Sequence, residues 1–249
     1  MHHKKKILFW ILIIILCIVA VILGVYFGTQ HKNRDIYEQM QQDNEELEEK
    51  LEEEEKPIVI PIDFAKLQEQ NKDIYAWIRI PGTLVDYPIV QHPSDNGYYL
   101  NRTVEGRKGL PGSIYTELHN STDFEDRNTL IYGHNMKNGT MFGDLSKYKS
   151  RAYMEEHSQI LIYTPEHIYT YQVFGAVTFD SRHIMYAFDF STDDGLAEYL
   201  DAIRSTKNLS GYIDKSVNVT PVDKIITLST CTGNKSTRFL VEAVLKDVQ

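Results

Sequence analysis

From Ile7 to Phe27 the chain carries no charged side chain: ILFWILIIILCIVAVILGVYF. About 20 apolar residues, rising about 1.5 Å each as a helix, cross a hydrocarbon core of roughly 30 Å. A membrane span over residues 7–28 is therefore expected. His2, His3, Lys4, Lys5 and Lys6 precede it, which keeps residues 1–6 in the cytoplasm and places everything after the span outside the cell. The competing reading is a cleaved signal peptide. Such a peptide has a shorter apolar region, of about 7–15 residues, and ends in small residues; this segment ends in Val25, Tyr26 and Phe27. Residues 29–56 reverse the pattern. They are polar and highly charged, including DNEELEEKLEEEEK, and Met40, Leu47 and Leu51 are too sparse to form a core face. A solvated, partly helical stalk is expected.

Pro57 ends the stalk, and residues 57–249 read as one folded domain. Asp63 can cap a short helix carrying Phe64 and Leu67. β-branched and aromatic runs then recur at short intervals, punctuated by Pro and Gly. They predict strands at 76–80, 85–91, 112–116, 129–132, 159–164, 168–178, 225–230 and 239–245. Helices are predicted over 141–147 and over 193–205, where Leu196, Tyr199, Leu200 and Ile203 fall at helical spacing. Many short strands with few helices imply a closed β-barrel or a sandwich.

Composition adds two points. A formal net charge of -9 argues against nucleic acid as a partner, because phosphate contacts need clustered Lys and Arg. The chain has two cysteines, Cys17 and Cys231. Cys17 lies inside the apolar run, so Cys231 is the lone thiol of the expected extracellular domain and has no intrachain disulfide partner. An odd cysteine in that setting is either a reactive thiol, an intermolecular link or a buried filler.

The neighbours of Cys231 favour reactivity. Ile225-Ile226-Thr227-Leu228-Ser229-Thr230 leads into it and Thr232-Gly233-Asn234 follows, so Cys231 ends a core strand and faces a loop, where a rigid scaffold presents reactive groups. Arg238 starts the next strand, and the intervening turn makes the two strands hairpin partners. A cation there stabilises negative charge on a thiolate or on a developing oxyanion. A thiol nucleophile also needs an imidazole, and nine histidines compete. His2 and His3 are cytoplasmic in this reading, and His31 is in the stalk. His92, His119, His157, His167 and His183 sit in polar, loop-like or edge settings. His134 again follows a strand, with Gly133 allowing close backbone approach. No HExxH, CxxC or carboxylate loop is present, and neither a metal nor another cofactor is expected.

Taken together, these residues resemble the sortase family. Thr227-Leu228-Ser229-Thr230-Cys231 resembles its TLxTC signature, and Ile131-Tyr132-Gly133-His134-Asn135-Met136 resembles the strand that carries its histidine. The run NKDIYAWIRIPGTLVDYPIVQ resembles the first strands of the class B branch, as does the stretch 181–209 between the sixth and seventh predicted strands. The resemblance implies an eight-stranded β-barrel and a thiol transpeptidase. It implies Cys231 as nucleophile, His134 as acid and base, and Arg238 as holder of substrate and oxyanion. Ser229 and Thr230 would flank the pocket, Asn96 and Leu100 would line the substrate groove, and Tyr186 would contribute from the loop between those strands.

The implied substrates are secreted proteins with a C-terminal sorting signal, of an NPxTN-like or PxTG-like kind, cut after Thr. The implied acceptor is an amine of a lipid-linked cell-wall precursor or a pilin Lys. The span over 7–28 would tether the enzyme to the cell membrane. A pilus-assembly sortase and a non-catalytic extracellular adhesion domain also fit the sequence. A papain-like protease fits poorly: it orders its residues Cys, His, Asn, with Cys on a helix, whereas here His precedes Cys, and Cys ends a strand.

Overall fold

A computed structural model describes residues 59–205 and 211–249, with Leu23 alone upstream. The expected membrane span and stalk otherwise lie outside the described residues. No helix among the described residues is long and apolar enough to cross a membrane.

Residues 58–249 form a compact unit built on eight strands that close on themselves. They are β1 (Ile74–Arg79), β2 (Asp86–Val90), β3 (Ile114–Thr116), β4 (Asn128–Tyr132), β5 (Gln159–Tyr163), β6 (Ile168–Asp180), β8 (Ile225–Cys231) and β9 (Thr237–Val248). The order around the barrel is β5-β1-β2-β3-β4-β8-β9-β6, and β6 pairs again with β5 to close it. A two-residue β7 (Tyr212–Ile213) adds to β6. The β2–β3 and β4–β8 pairs are parallel and the others antiparallel.

Burial follows from which faces are covered. Strand β1 alternates, with Ile74, Ala76 and Ile78 buried between half-exposed neighbours, the period-2 pattern of a strand packed on one side. In β8 every residue before Cys231 is buried. Ile226 and Leu228 join the barrel interior with Val241 and Ala243 of β9. Their neighbour Ile225 packs outward, with Leu240 and Val244, against the helix Asp193–Ser205. That helix buries Leu196, Tyr199, Leu200 and Ile203, the i, i+3, i+4, i+7 stripe read from the sequence.

Smaller elements complete the unit. Helix α1 (Phe64–Gln70) is capped as expected, Lys66 N donating to Asp63 Oδ1 at 3.0 Å. The helix expected over 141–147 is instead a later 3-10 segment, Gly143–Lys149; Met141 cannot join it, because its φ is 55°, which a right-handed helix excludes. Unanticipated are α2 (Arg151–Glu156), α3 (Ile184–Ala187) and a 3-10 turn, Tyr98–Asn101; the long helix Asp193–Ser205 is thus α4.

Candidate active site

Strand β8 lies between β4 and β9, and that placement builds the site. On one side the antiparallel hairpin pairs Cys231 directly with Arg238. The turn between them uses Gly233 at φ 87°, and a 2.6 Å contact between the Thr232 and Thr237 hydroxyls closes it. On the other side the parallel register pairs Tyr132 with Ser229. Continued two residues along both chains, the register sets His134 level with Cys231. Bonds past the last ladder pair hold it there: Gly133 N donates to Ser229 O at 3.2 Å and Thr230 Oγ1 to Gly133 O at 2.8 Å. Asn135 Nδ2 donates to the Cys231 carbonyl at 2.7 Å. Adjacent strands stand about 4.8 Å apart, so the thiol has the imidazole on one side and the guanidinium on the other.

All three residues line one cavity of about 320 Å3, together with Leu100, Asn101, Tyr115, Tyr132, Ser229 and Thr230. Cys231 is exposed and unpaired, not packed away as a filler. Arg238 has no carboxylate partner among the described residues; its Nη1 donates to the Thr237 carbonyl at 2.9 Å. The guanidinium therefore keeps donors for an incoming group. Tyr115 and Tyr132 stack, centroids 5.2 Å apart, along one side of the cavity. Burial, and then the neighbouring Glu117, pushes both phenols far above their ordinary titration range, so the wall stays neutral.

His134 is clamped. Its Nε2 lies 2.6 Å from the Leu100 carbonyl. A carbonyl only accepts, so Nε2 carries the hydrogen and Nδ1 holds the lone pair of the neutral ring. The backbone carbonyl of His134 accepts from Met136 N and Phe142 N. Two glycines let neighbouring groups come this close. A Cβ on Gly133 would stand 2.6 Å from the Ile114 and Phe142 side chains. On Gly112, at φ 70°, it would stand 2.6 Å from Leu100 O and 2.9 Å from the His134 ring.

Of the other residues singled out from sequence, Leu100, Ser229 and Thr230 line the cavity. Asn96 does not; its Oδ1 accepts from Leu118 N at 2.8 Å and so shapes the segment after β3. Tyr186 is 72% exposed and borders a different cavity, of about 670 Å3, with His119 and Phe188. The sequence assigned no role to Tyr115 or Gly112, nor to Tyr132 and Asn135 beyond their place in the motif around His134. The two tyrosines were hidden as ordinary strand aromatics, and Gly112 as turn punctuation.

The comparisons with known proteins agree with this geometry. The Sortase domain family matches residues 78–246. The chain belongs to the sortase family. Its curated relatives place it in the class B branch: it is 38% identical to Sortase B of Listeria monocytogenes over 171 residues, 68% of this chain and 67% of that one. It is 32% identical to Sortase B of Staphylococcus aureus over 222 residues, 88% and 87% of the two chains. Among solved structures, a Staphylococcus aureus sortase B–substrate complex superposes with a TM-score of 0.67 at 31% identity, covering 84% of this chain and 98% of that one. Sortase B from Bacillus anthracis in complex with AAEK1 gives 0.64 at 36% identity, covering 73% and 83%. The sortase is thus a cysteine transpeptidase with an eight-stranded barrel, acting on sorting-signal substrates.

Proposed function

We propose that this sortase cleaves a C-terminal sorting signal of secreted proteins after Thr and joins the new carboxyl end to an amine at the cell surface. The observation that carries the reading is the register: Cys231 at the end of β8 stands between Arg238 of β9 and His134, two residues past the end of β4, in one cavity. The Cys231 thiolate attacks the carbonyl carbon of the scissile peptide, and negative charge moves to the carbonyl oxygen. Arg238 donates to that oxygen. His134, protonated at Nδ1, gives its proton to the departing amine, leaving a thioacyl enzyme. The acceptor amine then loses a proton to Nδ1 and attacks the thioester, releasing Cys231 as thiolate.

Leu100, Ser229 and Thr230 border the acyl group. Asn96 acts indirectly, by holding Leu118, and Tyr186 meets parts of the signal beyond the scissile bond. The class B relatedness supports an NPxTN-like or PxTG-like signal. It also supports, as acceptor, the lipid-linked peptidoglycan precursor over a pilin Lys. Residues 7–28 anchor the enzyme in the membrane with residues 1–6 in the cytoplasm and 57–249 outside, so both substrates meet it at the surface where they arrive.

Mass spectrometry of the protein incubated with signal peptides tests the proposal. A mass increase on Cys231 equal to the acyl fragment ending in Thr is expected, discharged by added amine. Cys231→Ala and His134→Ala each abolish cleavage with the fold intact, and Arg238→Ala lowers it by about 10²–10³. Normal turnover by Cys231→Ala overturns the mechanism.

A further inference from the structure

Beside the cysteine cavity lies a second polar cluster that the thiol chemistry does not use. Glu117 and His119 follow β3, and His183 stands just before α3. One ligand atom from each of the three lies within 4.8 Å of the other two. His183 Nε2 is 2.8 Å from Glu117 Oε2, and the two imidazoles stand edge to face at 5.6 Å. The Tyr186 ring packs on both, at 4.7 Å from His119 and 4.4 Å from His183.

The nitrogen that His183 turns toward the cluster is Nε2, and the Glu117 carboxylate it faces is only 14% exposed. We infer that Glu117, His119 and His183 form a binding site for a zinc-like divalent transition metal ion. Two imidazoles and one carboxylate are the donor set that zinc accepts in three-ligand sites, with a fourth position left for water. Ligand atoms about 2.0–2.1 Å from a tetrahedral metal stand about 3.3 Å apart. Here the Glu117–His183 pair stands at 2.8 Å and all three ligand atoms lie within 4.8 Å of one another.

The ion would tie the segment after β3 to the segment before α3, which the fold brings together from positions far apart in sequence. That separation is why no local motif announced it. It would also touch the cysteine cavity indirectly, since Tyr132, which lines that cavity, donates to Glu117 Oε2 at 3.3 Å.

The test uses the full-length Cys231→Ala protein, so that the thiol cannot bind metal itself. The protein is stripped with a chelator and titrated with zinc chloride against a chromophoric competitor. One equivalent is expected, with Tm rising by about 5 °C or more at saturation. His119→Ala/His183→Ala should weaken binding by roughly 100-fold or more and Glu117→Gln by roughly 10-fold or more, in line with lost ligands. Cobalt(II) in place of zinc should give the visible absorption of four-coordinate nitrogen and oxygen ligation, absent from the double variant. Circular dichroism of the metal-free variants checks folding. If the double variant unfolds, His119→Ala, whose side chain is exposed, gives the same reading. Lack of a stoichiometric site overturns the proposal, as does binding unchanged in the histidine variants, which would place the metal elsewhere on the chain.

Discussion

Glu242, on β9, is fully buried, 0% exposed, with no cation partner among the described residues. Tyr199 OH of α4 donates to its Oε1 at 2.7 Å and Thr227 Oγ1 lies 2.8 Å from its Oε2. Burial pushes this carboxyl up from 4.5 to about 7, against the lowering effect of the two hydroxyls. Below 4.5 the group is protonated in folded and unfolded chains alike. Between 4.5 and about 7 only the folded chain keeps the proton, so stability falls as pH rises; above about 7 the loss is complete. At about 1.4 kcal/mol per pH unit the loss is about 3 kcal/mol, large against a total of roughly 5–15 kcal/mol.

Glu242→Gln keeps the geometry and removes the charge. Its amide oxygen accepts from Tyr199, and its NH2 donates to Thr227 Oγ1, whose hydrogen turns to Asn128 Oδ1, 3.0 Å away. Urea unfolding of both proteins at pH 5 and pH 8 reads the effect. The variant should gain about 2.5 kcal/mol relative to wild type between the two pH values, since pH 5 already lies about half a unit inside the window. Parallel stability curves, or a variant that loses ground as pH rises, would refute the assignment of the penalty to burial of this charge.

Three further outcomes can be checked directly. Gly112→Ala places a methyl group against Leu100 O and the His134 ring; peptide cleavage should fall by roughly 100-fold through misplacement of the imidazole, while circular dichroism stays that of a folded barrel. Arg238→Ala should lower kcat by about 10²–10³ and Arg238→Lys by less, since lysine keeps the charge but not the planar fork; equal losses would mean that charge is not what matters. Leu200→Ala empties a position 1% exposed on the buried face of α4 and should cost about 2–5 kcal/mol in urea unfolding, with kcat of the folded protein unchanged.

The barrel strands were legible because their signals are local. Each predicted run falls on an observed strand, and the hairpin partnership of Cys231 and Arg238 follows from a short turn between two apolar runs. The α4 stripe was legible for the same reason. Less legible were features set by distant parts of the chain. The imidazole reached its place through a parallel β4–β8 pairing that joins segments about a hundred positions apart, which no periodicity encodes; the strand-end setting singled out His134, and the resemblance tied it to the thiol. Gly112 matters because Leu100 O and His134 converge on it from elsewhere. One backbone angle keeps Met141 out of the expected helix, and α2 and α3 are too short to leave a helical stripe.

The parallel β4–β8 ladder also divides the labour between barrel and loops. The thiol, the imidazole and the guanidinium sit at the ends of three neighbouring strands, at one height, so their spacing is fixed by the sheet's own backbone bonds. The segment Tyr98–Asn101 meets that row at its edge, through Leu100 O on His134 Nε2, and Ile184–Ala187 borders the neighbouring cavity. Chimaeras that exchange those segments with a relative should therefore change which peptide is chosen while leaving the bond-making groups at their original separations, provided that Leu100 O or its replacement still meets His134 Nε2.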